Sequence, residues 1–308
     1  MALLQSPNSY PDYPFPSHFL DRSGNKLHYI DEGPREAPPV VMLHGNPTWS
    51  FYYRRVITAL SPRFRCIVPD HIGMGLSDKP GDDRYKYTLD RRANDVQALL
   101  EHLNIKENIT LILHDWGGMI GTTFATRFPD RIKQFVILNT GAFHLPASKP
   151  LPWQLKLCRS FLGAIFVRGF NGFSGDAVKS CVARRPLPDD VKASLLAPYD
   201  SWKNRIAVHR FVQDIPLAPG DRAYDTVTSV QDNLHQFADL PMLICWGMKD
   251  FVFDHHFLAE WEKRFPKATV HRFEDVGHYI LEDAHEDVIP LIERFLDSNA
   301  ALRNEPRP

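Results

Sequence analysis

The hexapeptide Leu113-His114-Asp115-Trp116-Gly117-Gly118 follows the strand-like run Asn108 to Leu113 and has the form of a nucleophile elbow. In an elbow, a sharp strand-to-helix turn pushes one side chain into a pocket. The usual occupant is a serine; here it is Asp115. A carboxylate is ionised at neutral pH and attacks without first losing a proton. It suits attack on a carbon that bears a leaving group, giving an ester of the enzyme's own carboxylate.

Such a nucleophile needs a base for the second half-reaction, and the base needs an orienting acid. With this elbow the chain order is nucleophile, acid, base. His278, in Val276-Gly277-His278-Tyr279, follows the last expected strand and is the candidate base. His255 and His256 open an expected helix and His271 sits within a strand, so they are weaker candidates. For the acid, Asp250 lies just past the strand Met242 to Trp246. The end of the preceding strand, Asn139-Thr140-Gly141-Ala142-Phe143, has no carboxylate. Asp254 is the fallback and otherwise reads as a helix N-cap before His255. On the far side of the pocket, His44-Gly45-Asn46-Pro47 follows the strand Pro39 to Leu43. The backbone N–H of Asn46 and that of Trp116 can face a developing oxyanion, with Gly45 permitting the turn. Their side chains, an amide and an indole, add neutral donors for a halide or a departing carboxylate. The plainer alternative is a tryptophan packed on the core and an asparagine satisfying its own turn. The glycine-spaced Asp70 to Ser77 lacks the spacing of a phosphate loop and reads as a structural loop near the rim.

Strands and helices alternate around these residues. Lys26 to Tyr29, Pro39 to Leu43, Arg65 to Pro69, Ile109 to Leu113, Phe135 to Asn139, Met242 to Trp246 and Thr269 to Phe273 read as strands. Helices are expected over Trp49 to Leu60, Asp90 to Leu103 and Gly117 to Phe128, the last stopped by Pro129. Val96, Leu99, Leu100 and Leu103 share one helix face, as do Val288, Leu291, Ile292 and Phe295. The pattern predicts an α/β fold, a mostly parallel sheet flanked by helices. The alternation breaks between about Gly141 and Val230. We read residues 1–140 and 231–308 as the core and 141–230 as an inserted helical cap. Phe161, Ile165, Phe166, Phe170 and Phe173 recur there at near-helical spacing. They are expected to pack the cap onto the core, some of them lining a greasy substrate slot.

With 308 residues, 44% of them hydrophobic, the chain is long enough for one large domain with an insertion. Its formal net charge is −1 with no long basic run, which argues against nucleic acid as a partner. Cys66, Cys158, Cys181 and Cys245 are far apart with no CxxC pair, so neither a metal site nor a disulfide framework is supported, and a reducing cytoplasm fits. Met1 to Pro16 lacks the charged-then-apolar order of a signal peptide, and no apolar run reaches transmembrane length. Attachment to a membrane surface stays open.

Together these motifs resemble the α/β-hydrolase superfamily, and within it the haloalkane dehalogenase branch. His44-Gly45-Asn46-Pro47, His114-Asp115-Trp116-Gly117, Asp250 and His278 match where that branch places its halide donor, its nucleophile and second donor, its acid and its base. The first elbow position is Leu113, where GxSxG esterases have glycine. Five further stretches are similar to the β-lactone decarboxylase family of bacterial long-chain olefin biosynthesis: Asp70 to Pro80, Pro198 to Ile206, Arg210 to Leu217, Asp250 to Leu258 and Gly277 to Glu286. Two of these lie in the variable cap and are the specific part of the likeness. The resemblance implies conversion of a cis-3,4-dialkyl-2-oxetanone to a cis-alkene and carbon dioxide, without a cofactor. It also implies work beside a β-lactone synthetase, often in an assembly. Asp115 would open the lactone either at the ring carbon bonded to oxygen or at the carbonyl. The rivals are a haloalkane dehalogenase on the same residues, and an epoxide hydrolase, for which the cap offers only Tyr199 and Tyr224. A non-catalytic scaffold would have no need of Asp115, Asp250 and His278 together.

Overall fold

The computed structural model describes residues 10–150, 156 and 158–300. Of the segment Met1 to Pro16, residues 1–9 lie outside the described residues, as does the side chain of Phe161. The strands are β1 (His18–Asp21), β2 (Lys26–Glu32), β3 (Pro39–Leu43), β4 (Arg65–Pro69), β5 (Ile109–Asp115), β6 (Ile132–Thr140), β7 (Met242–Gly247) and β8 (Thr269–Phe273). They form one eight-stranded sheet in the order β1-β2-β4-β3-β5-β6-β7-β8. β1, β2 and β4 pair antiparallel in turn, and every later pairing is parallel.

The central strands are continuous apolar runs because helices cover both faces of the sheet. Val41, Leu43, Leu111 and Leu113 point into one buried layer, together with residues of α2 (Leu89–His102) and α3 (Trp116–Arg127) such as Leu99, Leu100, Ile120 and Phe124. Val40, Met42 and Ile112 point into the other, against α1 (Arg54–Leu60) and the C-terminal helix His285–Ser298 through Val56, Ile57, Val288 and Ile292. This is the period-two alternation of a strand buried on both sides. The chain leaves β3 to form β4 on one side, then returns past β3 to form β5 on the other. Such a reversal opens a crevice at the C-terminal ends of the two strands, and that is where ligands bind in open α/β sheets. Both halves of the candidate site, His44 to Pro47 after β3 and Asp115 at the end of β5, therefore lie at this crevice.

Between β6 and β7 the described residues contain no strand. The helices are α4 (Phe161–Ala164), which runs into a π-helical turn at Ile165–Gly169, then α5 (Gly172–Ser180), α6 (Asp189–Leu196), α7 (Ile206–Gln213) and α8 (Tyr224–Asn233). After β7 come α9 (His255–Arg264), α10 (Ile280–Asp283) and α11 (His285–Ser298).

The structure corrects three expectations. The helix over Trp49 to Leu60 starts as a 3-10 turn, Ser50–Tyr53, before α1. β1 was not anticipated, because its four residues are an edge strand with alternating exposure and no apolar run. The near-helical spacing of Ile165, Phe166 and Phe170 marks the outer face of their segment. All three are exposed, and Val167 is the residue of that turn that enters the core. Phe173 alone of the described aromatics in that series packs against the core cluster.

Candidate active site

β5 runs two residues beyond its apolar core and ends on Asp115, whose φ of 51° and ψ of −127° make the sharp turn into α3. A non-glycine residue in such a conformation costs on the order of 1–3 kcal/mol and persists only where its surroundings fix it. Two contacts do so here. The Thr140 hydroxyl at the end of β6 donates to the Asp115 carbonyl. A Cβ on Gly117 would collide with the Leu43 carbonyl, so only glycine lets the first turn of α3 lie against β3.

The Asp115 side chain is 8% exposed. Its Oδ1 accepts the Asn46 N–H at 2.6 Å, and its Oδ2 lies 3.5 Å from His278 Nε2. His278 Nδ1 is bonded to Asp250 Oδ2 at 2.8 Å. The structure thus brings Asp115, His278 and Asp250 into one line. Burial by itself pushes the Asp115 pKa up, but the hydrogen bond and charge of His278, then His114 and the Asn46 N–H, leave it below the ordinary carboxylate value. Burial likewise disfavours a charged His278. The Asp250 and Asp115 carboxylates outweigh it and raise the imidazole to about 10. At neutral pH the resting site is therefore an imidazolium between two carboxylates. His114, whose ring lies tilted against that of His278 with centroids 4.7 Å apart, bonds through Nε2 to the His278 carbonyl at 2.9 Å. Burial and the His278 charge depress it to about 3, so it supports His278 as a neutral ring.

The N–H of Asn46, which the sequence reading directs at a developing oxyanion, holds the Asp115 carboxylate itself. The Asn46 side chain donates to the Val208 carbonyl of α7 at 3.1 Å, leaving its second amide hydrogen as the available donor. The Trp116 indole N–H has no acceptor among the described residues, and its ring packs on Phe211 of α7 at 5.3 Å. A Cβ on Gly45 would strike Asp115 Oδ1.

Several positioning residues escaped the sequence reading. Asn139, where β6 ends without a carboxylate, donates to Asp250 Oδ2 and to the Gly247 carbonyl, each at 3.0 Å, and accepts from the Gly247 N–H at 2.8 Å. The Val252 and Phe253 N–H groups bind Asp250 Oδ1 at 2.6 and 3.1 Å. Buried Arg54 grips Glu282 through two bonds of 2.5 and 2.9 Å, and Asp283 accepts the Gly277 N–H at 2.8 Å, anchoring the His278 loop on both sides. Asp70 is wholly buried and organises the loop after β4. It accepts from the Ser50 and Leu76 N–H groups at 2.6 and 2.8 Å and bonds His28 Nδ1 at 2.8 Å. Burial opposes its charge, yet His28, His44 and the Leu76 N–H bring it down to about 2. The only sequence signal for these residues is a polar side chain where an apolar one is expected.

Other candidates lie outside the line. Asp254 caps α9 by accepting the His256 N–H at 3.0 Å, and Lys149 takes its second oxygen at 2.8 Å. His255 is exposed at the start of α9, and His271 sits in β8. The Tyr199 hydroxyl donates to the Thr48 carbonyl at 3.3 Å, and Tyr224 packs on His144, so they do not form a pair over Asp115. Two surface grooves of about 420 and 470 Å³ lie elsewhere, around Asp90 and Thr226 and around Arg35 and Lys133. Asp115, His278, Asn46 and Trp116 are all buried, and α7 contacts the last two.

A parallel sheet with an aspartate on its elbow and a histidine–aspartate pair facing it is the arrangement of an α/β hydrolase with a carboxylate nucleophile. Residues 38–285 match the alpha/beta hydrolase fold family. The chain is 57% identical to the cis-3-alkyl-4-alkyloxetan-2-one decarboxylase of Shewanella oneidensis over 96% of its length and 92% of the relative's. It is 49% identical to the Xanthomonas campestris decarboxylase of that name, over 94% and 99%. A haloalkane dehalogenase of Mycolicibacterium paratuberculosis is 32% identical over 98% and 100%. Among solved structures, the haloalkane dehalogenase DbeA from Bradyrhizobium elkani superposes with a TM-score of 0.81 at 24% identity, covering 93% of this chain and 99% of that one, which speaks to the fold. The chain belongs to the α/β hydrolase fold family, in the group that holds the cis-3-alkyl-4-alkyloxetan-2-one decarboxylases and, at greater distance, the haloalkane dehalogenases. It is an enzyme of that group. No helix among the described residues is long and apolar enough to cross a membrane.

Proposed function

We propose that this enzyme is a β-lactone decarboxylase, converting a cis-3,4-dialkyl-2-oxetanone to a cis-alkene and carbon dioxide. The observation that carries this reading is 57% identity to a decarboxylase along nearly the whole chain, against 32% for the dehalogenase.

Asp115 is the nucleophile, Asp250 orients His278, and Asn46 and Trp116 supply neutral donors to the developing carboxylate. The route at the ring carbon balances without water. An Asp115 oxygen bonds to the ring carbon, the carbon–oxygen bond of the lactone breaks, and the ring oxygen leaves as a carboxylate on the same molecule. That carboxylate then departs as carbon dioxide. Its bonding pair forms the alkene, and the ester bond breaks to restore Asp115. No proton is consumed, so a histidine held as the imidazolium fits this route: it steadies Asp115 and the new carboxylate without acting as a base. In the dehalogenase alternative, His278 must give up its proton before it can activate water.

Residues 141–230 act as the cap over a slot for the alkyl arms. The buried contacts of α7 with Asn46 and Trp116 support that role. We place the enzyme in the cytoplasm, working beside a β-lactone synthetase. The test is gas chromatography of extracts after mixing the protein with a synthetic cis-β-lactone. Asp115→Ala protein serves as the control, because β-lactones also decarboxylate on heating. Alkene above that control is expected. Halide release from bromoalkanes with no alkene would overturn the reading in favour of a dehalogenase.

A further inference from the structure

The π-helical turn Ile165–Gly169, which packs against α7, carries apolar side chains on its outside. Phe170 is 80% exposed, Leu162 59% and Trp202 47%, and Ile165 and Phe166 are also exposed. Ile165 and Trp202 stand together at Gly169. A point one bond out from Gly169 Cα lies 3.7 Å from the Trp202 ring and 3.8 Å from the Ile165 side chain. The Arg168 guanidinium lies 4.6 Å over the Trp202 ring and its Nε donates to the Trp202 carbonyl at 3.1 Å. Soluble chains scatter single apolar groups over their surfaces, whereas here four large exposed apolar side chains fall within residues 162–170 and a fifth, Trp202, lies beside that turn, which marks a contact site.

Charge indicates what that contact is. From Lys149 to Gly175 the chain has four cations, Lys149, Lys156, Arg159 and Arg168, and no acidic residue. Lys149 and Arg159 are bound to Asp254 and Asp221. Lys156 is exposed within this stretch and Lys203 is exposed beside Trp202, and neither has an ion-pair partner among the described residues. The acids beside this surface are Asp82, bound to Arg210, and Asp200, which accepts from Asn204; exposed Phe, Leu and Trp side chains with cations in excess of acids form the pattern of a segment lying in the headgroup region of an anionic bilayer. The same turn sends Val167 inward, into the buried cluster that holds Trp116 and Phe211.

We propose that the surface formed by Leu162, Ile165, Phe166, Phe170 and Trp202 docks this enzyme on anionic phospholipid bilayers. The docking is interfacial and reversible, with the rings at headgroup depth and Lys156, Arg168 and Lys203 facing lipid phosphates. This inference stands on the surface alone and does not depend on the reaction assigned to Asp115.

The experiment is co-sedimentation of the full chain with vesicles of phosphatidylcholine alone, or with roughly one-third phosphatidylglycerol. Binding is expected to the anionic vesicles and to weaken as salt is raised. The double variant Phe170→Asp, Trp202→Asp should bind about tenfold or more weakly, since it removes two of the apolar side chains that enter the headgroup region. Lys156→Glu with Lys203→Glu should weaken binding to anionic vesicles and leave binding to neutral vesicles unchanged. Phe19→Asp, at an exposed ring on β1, is the control and should bind as the parent does. Unchanged melting temperatures would establish that the variants fold. Absence of vesicle binding by the parent, or equal binding by the Phe170 and Trp202 variant, overturns the proposal. So does light scattering that shows a dimer dispersed by that variant, since a second copy would then occupy the surface.

Discussion

Replacing Asp250 by Asn isolates the electrostatics of the site. The substitution keeps the shape of the side chain and removes one of the two charges that hold His278 protonated. At 2.8 Å, with an effective dielectric constant of about 20, a unit charge is worth about 6 kcal/mol, or about 4 pKa units. Burial, which lowers the histidine, is unchanged by the substitution. The His278 pKa should therefore fall from about 10 to near or below the ordinary histidine value. The sign of the linked stability follows. In the parent the folded pKa is raised above the unfolded value of 6.5. The stabilisation is fully present below pH 6.5 and is lost as pH rises through about 10. Its upper limit is on the order of 5 kcal/mol, 3.5 units at 1.36 kcal/mol each. Nitrogen-15 NMR of labelled histidine reads the protonation directly, and urea unfolding from pH 6 to 10 reads the slope. In Asp250→Asn, His278 should titrate near or below neutral pH, and the slope above pH 7 should flatten. A variant whose His278 stays protonated to pH 9, with an unchanged slope, would refute the assignment of the raised pKa to this pair.

Repeated turnover in oxygen-18 water should leave the Asp115 peptide unlabelled by mass spectrometry, since the ester is broken by loss of carbon dioxide. Label entering that carboxylate would mean hydrolysis. Gly45→Ala should lower kcat about a hundredfold or more, because its methyl group displaces Asp115 Oδ1; steady-state kinetics on a variant with parental circular dichroism checks this. Asn139→Ala removes three buried hydrogen bonds, leaving the Gly247 carbonyl only its bond from the Asp250 N–H. It should cost about 3 kcal/mol in urea unfolding, and a loss under 1 kcal/mol would show that Asn139 does not brace the acid loop.

Local pattern determined much of this molecule. The apolar runs Pro39–Leu43 and Met242–Gly247 must be strands buried on both faces, and an aspartate between such a run and Trp116-Gly117-Gly118 must sit on an elbow. Asp115, Asp250 and His278 were legible for the same reason: each directly follows, or ends, a strand that the pattern locates. The tertiary structure alone decided which polar groups meet. Asn139 and Asp250 are 111 positions apart, and Arg54 and Glu282 are 228 apart. No periodicity relates residues whose neighbourhood depends on how the strands are ordered in the sheet. The same holds for the aromatics around Phe166. Their spacing announced a shared face, but whether that face turned inward or outward depended on Val167 filling the core and on Trp202, from a distant part of the chain, lying beside them. A helical repeat sets which residues stand together, and only packing against the rest of the chain sets which way they point.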